Sequence, residues 1–254
     1  MSSGDPFALD GPAEIIAHRG FSEVAPENTL AALEAAVRAD ADAVEFDVHT
    51  AADGTPVLMH DDTLERTTDG AGSVAARSPE ELAKLDAGSW FGGEFRGEPV
   101  PTLQRAMLTL RGRVDRVYVE VKAMRHPEDV TSIVSTVRDL GLFEQTVFIS
   151  IDWGALTRIR AVAGDALLGY VVEAKERSDE ALRRAAGDER ALVDFDARIL
   201  LDDPGLALRA HAAGIPLATW TVDSPEDASR LLASGVPRIT TNRVKTLMRW
   251  RATL

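Results

Sequence analysis

Short apolar runs alternate with longer segments of helical period along most of this chain, and the alternation predicts an architecture. Runs rich in Val, Ile and Leu fall at 14–17, 43–49, 56–59, 117–121, 146–150, 167–172, 191–194, 216–222 and 238–241. Segments with apolar residues every three or four positions fall between them, at 29–38, 130–140, 155–162, 179–186, 205–213 and 224–233. The run 56–59 follows the turn Ala52-Asp53-Gly54 closely and reads as a hairpin extension of the second strand. The other eight runs give repeated β-then-α units, an order that requires parallel strands joined by crossovers. Eight such units in 254 residues predict a closed (β/α)8 TIM barrel. An open doubly wound sheet would also alternate. It would be expected to carry a glycine-rich dinucleotide turn after the first strand, where His18-Arg19-Gly20 stands instead.

One stretch breaks the rhythm. Residues 62–101 hold a single short helical segment, 79–85, and an aromatic, glycine-rich patch at 88–95. So long an insertion after a barrel strand is expected to lie over the C-terminal face of the barrel, where function gathers. The domain is expected to span 12–254, with the insertion as a small subdomain after the second strand and its hairpin. Residues 1–11 read as a short tail without the basic and apolar regions of a secretory signal.

Composition narrows the partners. Acidic side chains number 41 against 28 basic, a formal net charge of −13. That excess disfavours nucleic acid and anionic lipid surfaces, so neither nucleic-acid binding nor stable membrane association is expected. Cysteine is absent, which removes disulfides, thiolate metal sites and cysteine nucleophiles and fits a cytoplasmic protein. A monomer or a homodimer would suit the chain equally.

Barrel active sites form at the C-terminal ends of strands, so those positions are the ones to read for chemistry. The first strand ends in His18-Arg19, the hairpin in His60-Asp61, and the seventh barrel strand carries Trp220. Alternate strand residues face one way, which puts Glu45, Asp47 and His49 on one side of the second strand and Glu120 with Lys122 on one side of the third. Glu45, Asp47 and Glu120 would converge in the barrel mouth, where three unpaired carboxylates repel one another and resist burial. A hard divalent cation resolves this, and all-oxygen ligation favours Mg²⁺ or Ca²⁺. The competing reading pairs one or two of these carboxylates with Arg19 or Lys122 as structural ion pairs. His18 and His60 can supply one base and one acid near neutral pH. Arg19 and Lys122 suit phosphate oxygens, as a fork and a point charge respectively. Together the set suits phosphoryl transfer. His49 reads as a supporting or surface residue, and His126 and His211 as a loop and a helix residue without a role.

In order along the chain, His18-Arg19-Gly20, Pro26-Glu27-Asn28-Thr29, Glu45-Phe46-Asp47, His60-Asp61 and Glu120-Val121-Lys122 resemble the glycerophosphodiester phosphodiesterase family. The likeness continues through Leu64-Glu65-Arg66-Thr67-Thr68, Gly88-Ser89-Trp90-Phe91 and Thr219-Trp220-Thr221-Val222, and so covers nearly the whole chain. The resemblance implies a TIM barrel that cleaves a small-molecule glycerophosphodiester to sn-glycerol 3-phosphate and an alcohol. It implies Glu45, Asp47 and Glu120 as ligands of one divalent metal ion, Mg²⁺ or Ca²⁺, and His18 and His60 as the acid/base pair. It also implies Arg19 and Lys122 as phosphate-binding residues, with Trp220 near the glycerol. The first nucleophile it implies is the glycerol 2-hydroxyl. Two departures stand out: Asp223 where the family usually has Asn, and Arg238 at the entry to the last strand. Neither is expected to touch the metal or histidine set. A lysophospholipase D-like enzyme is the first alternative, with Trp90, Phe91 and Phe95 against an acyl chain. A non-catalytic phosphodiester-binding module is the second.

Overall fold

The computed structural model describes residues 6–188 and 190–254. Its strands are β1 (Glu14–Ala17), β2 (Ala43–Thr50), β3 (Pro56–Leu58), β4 (Arg116–Ala123), β5 (Thr146–Ser150), β6 (Leu167–Val172), β7 (Ala191–Asp196), β8 (Leu217–Trp220) and β9 (Arg238–Thr241). Around the sheet they run β1-β9-β8-β7-β6-β5-β4-β2, and the pairing of β1 with β2 closes the ring. Every pair in that ring is parallel. β3 is antiparallel to the upper end of β2, with Val48 opposite Leu58 and Thr50 opposite Pro56. This is the (β/α)8 barrel that the alternation predicts. Apolar strands such as β6 are buried along their whole length, because helices cover the outer face while neighbouring strands fill the inner one.

Helix starts follow local chemistry. Thr29 accepts the Ala32 N–H and caps Leu30–Arg38, and Ser224 caps Pro225–Ala233, whose proline has no N–H to satisfy. Helices Leu103–Leu110, Ala197–Asp202 and Val244–Arg251 go beyond the segments read from periodicity. The first was legible: Leu103, Ala106, Met107 and Leu110 are its buried face, and Thr102 is its cap. Its place just after the irregular insertion hid it. The expected helix at 79–85 is shorter, Pro79–Leu82, and is fixed by a Ser78–Glu81 capping box.

The floor of the barrel is polar and closed. Tyr118 donates its hydroxyl to Glu14 (2.8 Å), while Arg116 and Arg238 flank the same carboxylate at 3.5 Å. The two guanidiniums also face the ring of Phe7, at 5.7 and 5.5 Å from its centroid. They donate to the carbonyls of Pro6 and Phe7 respectively. Burial raises the Glu14 pKa despite the two cations. Arg238 therefore shapes the bottom of the barrel, far from its mouth.

Residues 62–101 build a small apolar cluster of their own, with Leu64, Val74, Leu82 and Val100 packed on Val57 and Met59. Two contacts tie this segment to the first crossover: Arg66 to Glu27, and the Glu98 carboxylate to the Ala31 N–H. Among the described residues, no helix is long and apolar enough to cross a membrane.

Candidate active site

A small cleft opens at the C-terminal end of the barrel, lined in part by His18, Arg19, Glu45, His60, Glu120, Lys122 and Trp220. Asp47 lies just beneath, fully buried. The eight residues singled out from sequence are thus brought to one place. Register explains the convergence: Asp47 on β2 stands directly opposite Glu120 on β4, and Glu45 is two residues further down.

The three carboxylates each offer an oxygen within 4.8 Å of the others. Their partners differ. Glu45 accepts the Arg19 N–H (2.9 Å) through Oε2, while its Oε1 is buried with no hydrogen-bond partner. Burial, then Asp47 and Glu120, push its pKa well above the carboxylate range. Asp47 is held by Asn28, which donates its amide to Oδ2 (2.8 Å) and accepts the Asp47 backbone N–H (3.0 Å). Burial works against ionised Asp47, but Arg19 (3.2 Å) and Lys122 (3.8 Å) outweigh it and hold the pKa low. Asp47 Oδ1 is left without a hydrogen bond. Glu120 accepts from Lys122 Nζ (3.1 Å), yet burial and the Asp47 charge raise its pKa to about 7. Orphaned buried oxygens on two of three converging carboxylates are what a missing positive charge leaves behind. The donor set fits a hard divalent cation.

The two histidines are anchored differently. His18 meets the side-chain oxygen of Asn242 through Nδ1 (2.8 Å), and burial lowers its pKa to about 4. His60 Nδ1 meets the Asp61 carboxylate at 2.6 Å. Arg66 clamps Asp61 through Nε (2.6 Å) and reaches Glu27 through Nη1 and Nη2 (2.9 and 2.8 Å). Glu27 in turn accepts from Arg19 (2.8 Å). One network of alternating charge therefore runs from His60 to Asp47. For both histidines Nε2 is the ring nitrogen that makes no hydrogen bond among the described residues.

Several readings need amendment. Asp223, expected to stand clear of the histidines, bonds to Asn242, the partner of His18. Of the two readings of His49, supporting or surface, the structure fits the first: it is buried, and its Nε2 meets the His60 carbonyl (3.1 Å), bracing the loop that carries His60. Asn28, Glu27 and Arg66 sit in segments quoted for their pattern alone, without a role. Asp194 on β7 was not singled out at all. It lines the cleft, is fully buried, and its Oδ1 has no partner; burial, with Glu120 nearby, raises its pKa well above the usual range. Its place two residues beyond Leu192 on an inward-facing row was the signal that could have found it. Trp90, Phe91 and Phe95 pack edge-to-face on one another at 5.7 and 5.5 Å, and none lines the cleft. His126 sits in a loop turn, and His211 Nε2 bonds the Gly235 carbonyl (2.8 Å).

Comparison with known proteins places this geometry. Residues 18–246 match the family model described as the glycerophosphoryl diester phosphodiesterase family. A glycerophosphodiester phosphodiesterase of Caldanaerobacter subterraneus subsp. tengcongensis is 33% identical over 238 residues, covering 92% of this chain and 96% of the relative. Among solved structures, an Oleispira antarctica phosphodiesterase in complex with the product sn-glycerol-3-phosphate superposes with a TM-score of 0.85 at 29% identity, over 93% of this chain and 96% of the other. A glycerophosphodiester phosphodiesterase from Agrobacterium tumefaciens gives 0.81 at 28% identity, over 95% and 100%.

Proposed function

The chain belongs to the glycerophosphoryl diester phosphodiesterase family, and on that premise we propose that its cleft hydrolyses glycerophosphodiesters to sn-glycerol 3-phosphate and an alcohol. One observation carries the reading: two imidazoles, three carboxylates and two fixed cations share one small cleft at the barrel mouth. Glu45, Asp47 and Glu120 would hold one Mg²⁺ or Ca²⁺, which supplies stabilisation of the negative charge developing on the phosphoryl oxygens. Arg19 and Lys122 bind the phosphate. Each is already held by the carboxylates beside it, so little reorganisation remains when substrate arrives. Trp220 covers the glycerol.

The unlike anchors assign the proton transfers. The Asp61 carboxylate fixes His60 through Nδ1, an anchor that suits the acid that protonates the leaving alkoxide. A neutral amide stands behind His18 instead, so its Nε2 takes the proton from the attacking hydroxyl, either the glycerol 2-hydroxyl or water. Where the glycerol 2-hydroxyl attacks, it forms a cyclic phosphate, and the roles reverse when water opens it. The substrate is a free small molecule, and the stacked insertion aromatics lend no support to an acyl-chain site. Release of glycerol 3-phosphate from glycerophosphocholine is the assay. Glu45→Ala or Asp47→Ala abolishes metal-stimulated turnover, and near-normal activity in either variant sinks the assignment. Faster hydrolysis of lysophosphatidylcholine would favour the lipid enzyme instead.

A further inference from the structure

The hydrogen bonds behind His18 form a chain in which each step dictates the next. Asp223, just beyond β8, accepts the Thr241 hydroxyl (2.9 Å) and the Asn242 backbone N–H (2.8 Å) through Oδ1. Its Oδ2 faces the Asn242 side chain, 2.9 Å from Nδ2. A carboxylate accepts and does not donate, so Asn242 must turn its NH₂ toward Asp223 and its carbonyl oxygen away. That oxygen meets the Ser22 hydroxyl (2.9 Å) and His18 Nδ1 (2.8 Å). An amide oxygen also only accepts, so the proton of neutral His18 resides on Nδ1 and Nε2 keeps its lone pair.

We propose that Asp223 is a positioning residue of the reaction. Through Asn242 it holds His18 in the tautomer whose free nitrogen points to the substrate. The proposal rests on the reading of His18 as the proton acceptor. It also gives Asp223 a task that its distance from the carboxylate cluster conceals. Arg19, Asp47 and Glu27 are the other charged groups that act on His18, and substitutions at 223 and 242 touch none of them.

Asp223→Asn in the full chain is the first variant. The new side chain still accepts the Asn242 backbone N–H through its oxygen, so its NH₂ takes the place of Oδ2. Asn242 must then invert and present its own NH₂ to His18, which moves the imidazole proton to Nε2. Nitrogen-15 NMR of labelled histidine distinguishes the two tautomers without reference to activity. The expected result is a switch of tautomer, with kcat down about 10²- to 10⁴-fold, as for a general base protonated on the wrong nitrogen. KM should stay within about threefold, since no substrate contact is lost.

The second variant, Asp223→Asn with Asn242→Asp, exchanges the two side chains. The carboxylate now at position 242 accepts from His18 and Ser22, the amide at 223 donates to it, and the original tautomer and most of kcat return. An Asp223→Asn protein with the wild-type tautomer and kcat overturns the proposal. So does a folded double variant that recovers neither. His18→Ala retaining near wild-type turnover overturns instead the catalytic reading of His18, and the NMR result on Asp223→Asn still stands or falls by itself.

Discussion

Gly20 closes the His18-Arg19-Gly20 turn with φ +79°, and a Cβ built there would lie 2.6–2.8 Å from the backbone and Cβ of Ala32. Ala32 is fully buried in helix Leu30–Arg38, and its carbonyl accepts the Phe21 N–H, so it has nowhere to retreat. Gly97 has nearly the same φ, +80°, with nothing within 4 Å of its virtual Cβ. The pair separates two costs that usually come together. Alanine at either site incurs the left-handed conformational penalty, about 1–2 kcal/mol. Alanine at Gly20 adds overpacking against a helix backbone, about 1–3 kcal/mol more. Gly20→Ala should therefore lose about 2–5 kcal/mol and Gly97→Ala about 1–2 kcal/mol. For a chain of this size those losses lower Tm by roughly 4–20 °C and 2–8 °C. Urea unfolding followed by circular dichroism measures both. Because Gly20 also donates its N–H to the Glu45 carbonyl (3.1 Å), only its variant should lose turnover at a temperature where both are folded. Equal destabilisation of the two variants would refute the close-approach argument.

Two further outcomes follow from burial. His18 has a folded-state pKa of about 4, below its ordinary 6.5, so the folded protein binds fewer protons than the unfolded chain between those values and loses stability as pH falls through that window. The loss from this one group is at most about 2 kcal/mol between pH 7 and 5, because the ring is partly open to the cleft. His18→Gln should flatten the pH–stability curve by that amount, and parallel curves for variant and wild type would contradict it. At the barrel floor, Arg238→Met leaves Glu14 with one fewer buried partner and should cost about 3 kcal/mol in urea unfolding. Turnover below the transition should be unchanged, because the floor does not touch the cleft; a large fall in kcat with intact folding would show otherwise.

What sequence makes legible here is set by periodicity and by strand alternation. Barrel closure follows from the eight β-then-α units, and the convergence of Glu45, Asp47, Glu120 and Lys122 from residues spaced by two on neighbouring parallel strands. No knowledge of side-chain geometry is needed for either. The supporting residues do not follow in that way. Asn28 holds Asp47 from a loop residue with φ +56°, Arg66 reaches Asp61 and Glu27 out of the insertion, and Asn242 meets His18 across 224 positions of chain. Such partners depend on how loops fold over the barrel rim, which carries no period to read. Asp223 is the instructive failure. As a single substitution beyond a strand it looked peripheral, and its importance lies wholly in which atoms of its neighbours can donate.

The acidity of the chain divides along the same line between count and place. A formal charge of −13 describes the whole sequence, but an incoming phosphodiester meets the barrel mouth. There Asp47 is flanked by Arg19 and Lys122, and Lys122 also pairs with Glu120, so the nearest anions are partly neutralised before any metal is considered. Counting acids at the mouth from sequence misses Glu173 and Asp194, which would make it more negative. Burial answers for Asp194, pushing its pKa well above the usual carboxylate range and so disfavouring its charge, and exposure answers for Glu173, which lies open to screening water and salt. Burial disfavours the charge on Glu45 and Glu120 in the same way, while Arg19 and Lys122 favour ionised Asp47; a divalent cation among the three would restore their charge and leave the mouth suited to a monoanionic diester. An acidic composition is thus compatible with an anionic substrate in the cleft, because burial and the neighbouring cations bias which of the buried acids carry charge.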